Sequence, residues 1–457
     1  MNKNTCLPSL TDSSVVPIDW NSMNKKTLTG EMAEGIIHIL NNGNRYIVND
    51  WWNKVWNFND YNHKEYLTMK GNKEHNIRPL THMALALSAS IALDIYDEKR
   101  TGVPVKEAKE MALKLIKSVA KHHCSNTPEG WGNAWQSAYW AADIALAGWF
   151  FWNDFSKVDQ KYIQNCTVAE ANRFIDYTVP YYMDRNGGIM FPGDSKAEEN
   201  AWNSNILAAS CAMMPNHENY SLWMYKNMEL MLSAFARPSD TLRDIEINGF
   251  KLNELLKGSN INEDGTVVNH SIIHPDYQAT MAVELLNGVF FAFGNQKVPQ
   301  AVIFNGDAIY ESFVNLDLKD LNKDMAGQYI YKRKHDGSAS HEINYPNGTD
   351  WGTDRQICFF LMDVYADMLK LDKNLPLKAK DFALARLPVM KAMQSRTENG
   401  QYYLSSDSDR YRSREEWVMW HAIHSYMALW VIENGMYNIT NESPFKPDLP
   451  FPENTLT

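Results

Sequence analysis

One short segment of the chain concentrates side chains that can transfer protons. His270 and His274 lie within eight residues of Tyr277, in a polar stretch that begins with Asn262-Glu263-Asp264-Gly265. Histidine is the usual proton donor and acceptor near neutral pH, and a phenol in a perturbed environment can act as acid or base. The segment predicts acid–base chemistry with His270 and Tyr277 as catalytic candidates, although histidines of this kind can also be purely structural.

The same segment could instead bind a metal ion. His270, His274 and Asp276 are all ligand types for divalent cations. Their spacing matches no motif with a specific metal signature, so the sequence predicts neither a metal site nor a cofactor, and a divalent cation is compatible with the segment without being indicated.

Other polar loops supply groups that suit a sugar carrying a carboxylate. Indole and phenol rings stack on sugar faces, amides donate and accept hydrogen bonds, and guanidinium groups pair with carboxylates. The alternative is that these residues pack helix starts, or that the arginines pair with neighbours such as Asp354 and Asp409. We predict that Glu198 is a helix-start residue whose charge complements the helix dipole. The predicted substrate-binding residues are Asn133, Trp135, Gln136, Glu199, Trp202, His274, His341, Trp351 and Arg355.

Long helical patterns dominate the chain and must position these loops. Leu80, Met83, Ala84, Leu87 and Ile91 recur every three or four residues, as on one apolar helix face. Sustained period-two alternation is scarce, which predicts few and short strands. The predicted helices are 29–42, 79–97, 103–121, 133–152, 157–178, 197–213, 218–236, 276–294, 299–315, 353–370, 376–394 and 414–433.

Every second helix follows a long polar loop, and these loops recur at similar intervals. The successive steps between loop anchors are 57, 57, 77, 72 and 63 residues, which fits one helix pair plus a loop. Six such hairpins can close into an all-α (α/α)6 toroid whose six loops share one rim, where functional residues would gather. An open helical solenoid is the rival architecture. The loop anchors are Glu74, Trp131, Gly188, Gly265, Gly337 and Gly400.

The domain organisation predicted from this pattern is simple. Residues 1–28 form an N-terminal extension, 29–435 the toroid and 436–457 a C-terminal tail. No apolar run is long enough to span a membrane, and the N-terminus lacks the apolar region of a signal peptide. We therefore expect a cytoplasmic protein, or a secreted or periplasmic one if a signal has been removed.

Composition excludes several functions. The 457 residues carry a formal net charge of −11, which argues against nucleic acid as a partner. An anionic glycan held in a locally basic cleft is compatible with that charge. Phosphate-binding loops, nucleophile elbows, zinc-protease motifs and dinucleotide fingerprints are absent from the sequence.

The stretch EDGTVVNHSIIHPDYQ, together with the Asn-containing helix start and the repeated helix pairs, resembles the helical-toroid polysaccharide lyases. This group includes heparinase II/III-like, chondroitin/hyaluronate and alginate lyases. The resemblance implies β-elimination in a glycan that contains uronic acid. It implies that Asn200 neutralises the substrate carboxylate, with Asn133 as second candidate, and that Arg355 orients it. It also implies that His270 assists or acts as base and Tyr277 acts as acid or base.

Two other functions stay open. Toroids also house glycoside hydrolases, including those that cleave unsaturated uronides, and these need two carboxylates. Glu199, Asp264, Asp350 and Asp354 lie on different loops and could supply them. The third function is a non-catalytic glycan-binding protein that uses only the tryptophans and arginines.

Overall fold

The computed structural model describes residues 15–23, 26–58 and 64–445, and these are mostly helical. The α-helices are α1 (Glu31–Tyr46), α2 (Glu74–Ala92), α3 (Glu98–Thr101), α4 (Val105–Lys121), α5 (Ser137–Phe150), α6 (Lys157–Asn172), α7 (Ala197–Met213), α8 (Tyr220–Ala234), α9 (Leu252–Leu255), α10 (Pro275–Gln278), α11 (Met281–Leu285), α12 (Asn287–Phe293), α13 (Gly306–Asn315), α14 (Gln356–Met368), α15 (Ala379–Ser395) and α16 (Glu415–Glu433).

Strands are few and short, as predicted. They pair two by two, β1 with β4, β2 with β3, β5 with β6, β7 with β10 and β8 with β9, and only β7 with β10 is parallel. Their bounds are β1 (Met183–Asp184), β2 (Glu246–Ile247), β3 (Phe250–Lys251), β4 (Gly258–Ser259), β5 (Val268–Asn269), β6 (Ile272–Ile273), β7 (Val298–Pro299), β8 (Tyr331–Arg333), β9 (Ala339–Ile343) and β10 (Ile439–Thr440).

Burial separates the helices into two layers. Every residue of α5 is buried, and α7, α14 and α16 are buried on nearly all sides. Helix α4 instead buries one stripe, which includes Ala108, Ala112, Leu115 and Val119, and exposes the opposite charged face. A helix that is apolar all round belongs inside a protein, whereas an amphipathic one covers its surface. The first set therefore forms the inner layer and α4 belongs to the outer one.

The inner helices pack in a closed cycle. Helix α2 packs against α5, α5 against α7, α7 against α11, α11 against α14, α14 against α16, and α16 returns to α2. Outer helices cover this cycle, with α4 against α2, α6 against α5, α8 against α7, α15 against α14 and α1 against α16. This arrangement places the N-terminal ends of the inner helices around one opening.

Several predicted helix boundaries differ from the structure, for example in α6, which ends at Asn172 rather than at 178, and in α13, which begins at Gly306 rather than at 299. Helix α2 begins at Glu74 rather than at 79, and Pro79 lies inside it at the cost of a backbone hydrogen bond. The predicted helix 276–294 is divided into α10, α11 and α12; near the first break the Thr280 hydroxyl donates to the Tyr277 carbonyl, which competes with helical hydrogen bonding. A π-helical stretch, Ile47–Val55, continues α1 and was not predicted.

The described parts of the predicted extension and tail pack against the helices. The Val16 amide donates to the Met213 carbonyl, and the Trp149 indole donates to the Val16 carbonyl. Strand β10 lies in the predicted tail and pairs with β7. The rest of both segments, 1–14, 24–25 and 446–457, lies outside the described residues. No helix within the described ranges is long and apolar enough to cross a membrane.

Candidate functional site

A cavity of about 280 Å³ opens where the inner helices begin. Its wall takes residues from all six regions predicted to share a rim, so distant loops meet in one place. This volume is near the lower end of ligand pockets, roughly 300–1,000 Å³. The lining residues that the following paragraphs use are Glu74, Arg78, Trp135, Gln136, Tyr139, Glu198, Trp202, His270, Asp276, Tyr277, Trp351, Arg355, Arg410, Tyr411, Arg414 and Trp417.

Asp350, His270 and Tyr277 form a hydrogen-bonded chain at this wall. His270 Nδ1 lies 2.9 Å from Asp350 Oδ2, and Tyr277 Oη lies 3.1 Å from His270 Nε2. An ionised carboxylate only accepts, so Nδ1 donates to Asp350, and in the singly protonated ring Nε2 is left to accept from the phenol. The arrangement follows the logic of a carboxylate–histidine–hydroxyl triad, in which the carboxylate orients the ring.

The Trp351 indole approaches the same ring nitrogen. Its Nε1 lies 3.2 Å from His270 Nδ1. A nitrogen that donates to Asp350 cannot also accept from Trp351, and the shorter contact to a charged acceptor is the stronger one. We therefore assign the Trp351 approach to ring packing. The centroids of the Trp351 and His270 rings lie 5.6 Å apart.

Burial keeps Tyr277 a neutral phenol. Burial first, and then the charge of Glu198, raise the pKa of Tyr277 well above its usual value. A phenolate at this position would thus form only when a neighbouring base accepts the proton, and once formed it would be strongly basic. His270 Nε2 is in place to be that acceptor.

Asp350 connects two histidines and an arginine. Its Oδ1 lies 3.2 Å from His274 Nε2, and its Oδ2 lies 3.2 Å from Arg410 Nη1. Burial alone would raise the pKa of Asp350, but the charges and hydrogen bonds of His270 and His274 hold that pKa below its usual value. His274 is fully buried behind the wall, so the structure places it in support of His270 rather than at the cavity surface.

Arg355 lies in the wall but is already paired. Its Nη1 is 2.8 Å from Asp276 Oδ1, and its guanidinium lies over the rings of Trp351 at 4.3 Å and Tyr411 at 4.0 Å. The buried Asp276 carboxylate compensates the charge of Arg355, and the two rings fix the orientation of the guanidinium plane. Arg355 therefore fixes the wall next to Tyr277.

The remaining cavity arginines differ in how their charge is compensated. Arg78 pairs with Glu74, and Arg410 pairs with Asp350. Arg414 forms no ion pair with the described part of the chain, and its guanidinium lies 5.6 Å from the Tyr411 ring centroid. The cavity thus has a cation that is open to an anionic ligand, next to inner-helix N-termini that also favour negative charge.

Glu198 is a cavity residue that sequence reasoning assigned to the helix start alone. It is buried, its Oε1 accepts from Asn269 Nδ2 at 3.1 Å, and its Oε2 has no hydrogen-bond partner among the described residues. Burial first, and then the charge of Glu199, raise the pKa of Glu198 well above its usual value. Burial therefore favours the protonated form of Glu198, whose side chain lines the cavity. The sequence could not predict this role, because an acidic residue in the first turn of a helix is already explained by the helix dipole. The role becomes visible only from the residues that surround Glu198 in the fold.

Several other buried polar atoms in the wall also lack a protein partner within the described ranges. They include the hydroxyl of Tyr139 and the indole nitrogens of Trp202 and Trp417. Buried polar groups in native proteins are nearly always hydrogen-bonded, so these atoms indicate a cavity that receives a polar ligand or solvent. Trp135 adds an indole that is 57% exposed at the cavity, with its edge against Trp202 at 5.2 Å between ring centroids.

Besides His274, four predicted residues lie away from the cavity wall. Asn200 is fully buried, and its amide donates to the Pro180 carbonyl and the Ser233 hydroxyl, both at 3.1 Å. This placement corrects the expectation that Asn200 reaches a substrate carboxylate, because its donors hold the start of α7 to neighbouring backbone. The other three, Asn133, Glu199 and His341, are likewise absent from the lining.

Those three residues have local roles in the structure. The Asn133 backbone amide donates to Glu170 at 2.6 Å. Glu199 accepts from the Trp135 indole at 3.4 Å and pairs with Lys196, so it supports the exposed indole from behind. The His341 carbonyl accepts from Arg386 at 2.6 Å within the region of β9.

Comparisons with known proteins identify no family. No family model and no curated protein sequence matches the chain. Among solved structures, the chain is similar to an unsaturated glucuronyl hydrolase from Streptococcus agalactiae, at 11% identity and a TM-score of 0.38, over 92% of this chain and 98% of that one. At that TM-score the likeness decides neither fold nor activity.

Proposed function

We propose that the inner and outer helices close into an (α/α)6 toroid and that the cavity at its rim is the active site of a polysaccharide or oligosaccharide lyase. The closed cycle of contacts from α2 through α16 and back supports the ring, since an open solenoid would leave its first and last helices apart. The position of the cavity at the helix N-termini supports the site.

The proposed reaction is β-elimination in a glycan that contains uronic acid. His270 takes the phenolic proton of Tyr277, and Asp350 stabilises the resulting imidazolium. The phenolate of Tyr277 removes the proton from C5 of the uronate, and the electron pair forms the C4–C5 double bond as the bond from C4 to the bridging oxygen breaks. Tyr277 then donates the captured proton to that oxygen and regains its own from His270, so the enzyme returns to its starting state.

Removal of a C5 proton requires that the adjacent carboxylate be neutralised. Arg414 is the cavity arginine without an ion-pair partner within the described residues, and the amide of Gln136 lies in the same wall. A guanidinium can bind a carboxylate through two parallel hydrogen bonds. We assign carboxylate binding to Arg414 and Gln136, instead of to Asn200 or Asn133 as the sequence predicted, and we assign positioning of the wall to Arg355.

The observation that carries this proposal is the Asp350–His270–Tyr277 chain. Its two links, 2.9 and 3.1 Å, lie within hydrogen-bonding distance. A protein that only binds glycans has no need for a phenol connected to an oriented imidazole, because aromatic faces and arginines suffice for binding.

The test is a screen of uronate-containing glycans for the ultraviolet absorbance of a conjugated unsaturated uronate. We expect absorbance to rise with the wild-type chain. Tyr277→Phe removes only the hydroxyl, and we expect it to lower the rate by roughly 10²–10⁴-fold, the usual contribution of acid–base catalysis. Tyr329→Phe is the matched control, because Tyr329 lies outside the cavity, with Arg333 over its ring. Equal activity of Tyr277→Phe and wild type would refute the assignment.

A glycoside hydrolase is the second candidate, and Glu198 is the observation that favours it. Hydrolases of this kind use one protonated and one ionised carboxyl group. The raised pKa of Glu198 favours its protonated form and its side chain lines the cavity, while Asp276 lies in the same wall and is paired with Arg355. New reducing ends without ultraviolet absorbance would support hydrolysis, and so would loss of absorbance from an unsaturated oligosaccharide. Either activity should then disappear in Glu198→Gln.

A further inference from the structure

Three ligand-type side chains converge beside the proton-transfer chain. One atom each from His270, His274 and Asp350 can be chosen so that all three lie within 4.8 Å of one another. The closest approaches are His270 Nδ1 to Asp350 Oδ2 at 2.9 Å and His274 Nε2 to Asp350 Oδ1 at 3.2 Å. Zn²⁺ binds imidazole nitrogens and carboxylate oxygens at about 2.0–2.2 Å. The ligand atoms around such an ion are separated from one another by slightly more than the donor–acceptor distances of these two hydrogen bonds.

The buried histidine also has a partner on its far side. His274 Nδ1 faces Asp276 Oδ2 at 3.5 Å, and both residues are buried. Metal-bound histidines usually present their other ring nitrogen to a carboxylate or carbonyl, which fixes the tautomer and the ring orientation. Asp276 therefore stands where a supporting carboxylate is expected, and this observation is independent of the three ligand atoms themselves.

Access and proton balance are compatible with binding. The side chains of His270 and Asp350 are 37% and 43% exposed, so an ion can reach them from solvent. Both nitrogens that face Asp350 carry protons in the hydrogen-bonded state, because the carboxylate only accepts. On binding, each proton moves to the other nitrogen of its own ring, so no net proton is lost from the histidines. That nitrogen faces Tyr277 Oη at 3.1 Å in His270 and the Asp276 carboxylate at 3.5 Å in His274.

We propose that His270, His274 and Asp350 form a three-ligand site for Zn²⁺ or a similar divalent transition-metal ion, with a remaining position open to solvent. Arg410 competes for Asp350, but its side chain is 58% exposed and can turn into solvent. Metal at Nδ1 leaves His270 Nε2 protonated, so this nitrogen donates to Tyr277 and no longer accepts from it. The bound metal thereby blocks the proton transfer of the proposed function, and the site is inhibitory.

The experiment is calorimetric titration of the untagged, chelator-treated full chain with Zn²⁺ in the absence of any glycan. We expect one ion per chain for the wild type, and at least tenfold weaker binding for Asp350→Asn and for His274→Gln. Asp336→Asn and His335→Gln are matched controls in an exposed turn and should bind as the wild type does. Circular dichroism verifies that each variant is folded. Because Asp350 is partly exposed, its variant keeps the test informative if His274→Gln fails to fold.

Co²⁺ serves as a spectroscopic probe of the same site. We expect visible absorption from Co²⁺ bound through nitrogen and oxygen, which addition of Zn²⁺ should remove. Absence of stoichiometric binding by the wild type, or unchanged affinity in Asp350→Asn, would overturn the metal site. Neither result bears on the lyase proposal, because no glycan turnover is measured.

Discussion

A buried carboxylate on α6 holds the loop that carries two of the cavity residues. Glu170 is 1% exposed and accepts from the Asn133 amide at 2.6 Å and the Ser137 hydroxyl at 2.8 Å. It also lies 3.2 Å from His123 Nε2 and 3.0 Å from Arg173 Nη2. Trp135 and Gln136 lie in the chain between Asn133 and Ser137, the two residues that donate hydrogen bonds to this anchoring carboxylate. We therefore predict that Glu170→Gln destabilises the protein and disturbs this part of the cavity.

The size of the effect follows from the carboxyl group itself. Burial alone would raise the pKa of Glu170. The charge of Arg173 outweighs this effect, together with the charge and hydrogen bond of His123 and the hydrogen bond from the Asn133 amide, and the pKa falls from 4.5 to about 2. At about 1.4 kcal/mol per pKa unit, the ionised form contributes roughly 3 kcal/mol to the free energy of unfolding. With an unfolding entropy of about 2 cal/mol/K per residue, a chain of this length loses about 3 °C in Tm.

The pH dependence has a definite sign. The pKa is depressed in the folded state, so this stabilisation is fully present above about pH 4.5 and is lost as the pH falls toward 2. Calorimetric melting at pH 7 should give a lower Tm for Glu170→Gln than for the wild type. The difference in Tm should narrow as the pH falls from about 5. Glu254→Gln, at an exposed ion pair with Lys251, is the matched control and should change Tm little. An unchanged Tm for Glu170→Gln at pH 7, or a difference that does not depend on pH, would refute this reasoning.

Three further predictions concern the cavity and the core. Arg414→Ala should lower kcat/KM for a uronate-containing glycan by tenfold or more, because charged hydrogen bonds contribute about 1.5–3 kcal/mol; Arg412→Ala, at a residue absent from the lining, is the control, and equal kinetics for the two would contradict the carboxylate assignment. Trp135→Ala should raise KM more than it lowers kcat, because the exposed indole offers a stacking face without chemistry, and steady-state kinetics beside Leu242→Ala, at another exposed apolar residue, test this. Arg386→Met breaks a fully buried ion pair with Asp363 at 2.8 Å and should reduce the free energy of unfolding by about 3–5 kcal/mol in chemical denaturation, whereas a wild-type midpoint would show that the pair adds little.

Much of the helical layout could be predicted because helix periodicity is local. The predicted segment 197–213 agrees with α7 at both ends, and 414–433 agrees with α16 within one residue. Where the prediction failed, longer-range packing or a local side-chain hydrogen bond decided the outcome. Pro79 reads as a helix start and yet lies inside α2, and the segment from 276 to 294 is divided near Thr280.

The candidate site divides in the same way. The types and spacing of His270 and Tyr277 were sufficient to select them, since two proton-transfer groups lie close in one loop. Their partner Asp350 lies 80 residues from His270 along the chain, so no local pattern could connect the two. Asn200 shows the reverse error, because a polar helix start has the same sequence signature whether its amide faces a ligand or a neighbouring carbonyl.

The sequence by itself determined the helical class, the polar loops and the residues able to transfer protons, because each of these depends on neighbours a few positions apart. Only the tertiary structure decided which of those residues share the cavity, that burial favours the protonated form of Glu198 and that Arg414 forms no ion pair among the described residues. Burial and charge compensation arise from groups on different helices. Their distances are set by how the helices pack, which no local pattern along the chain encodes.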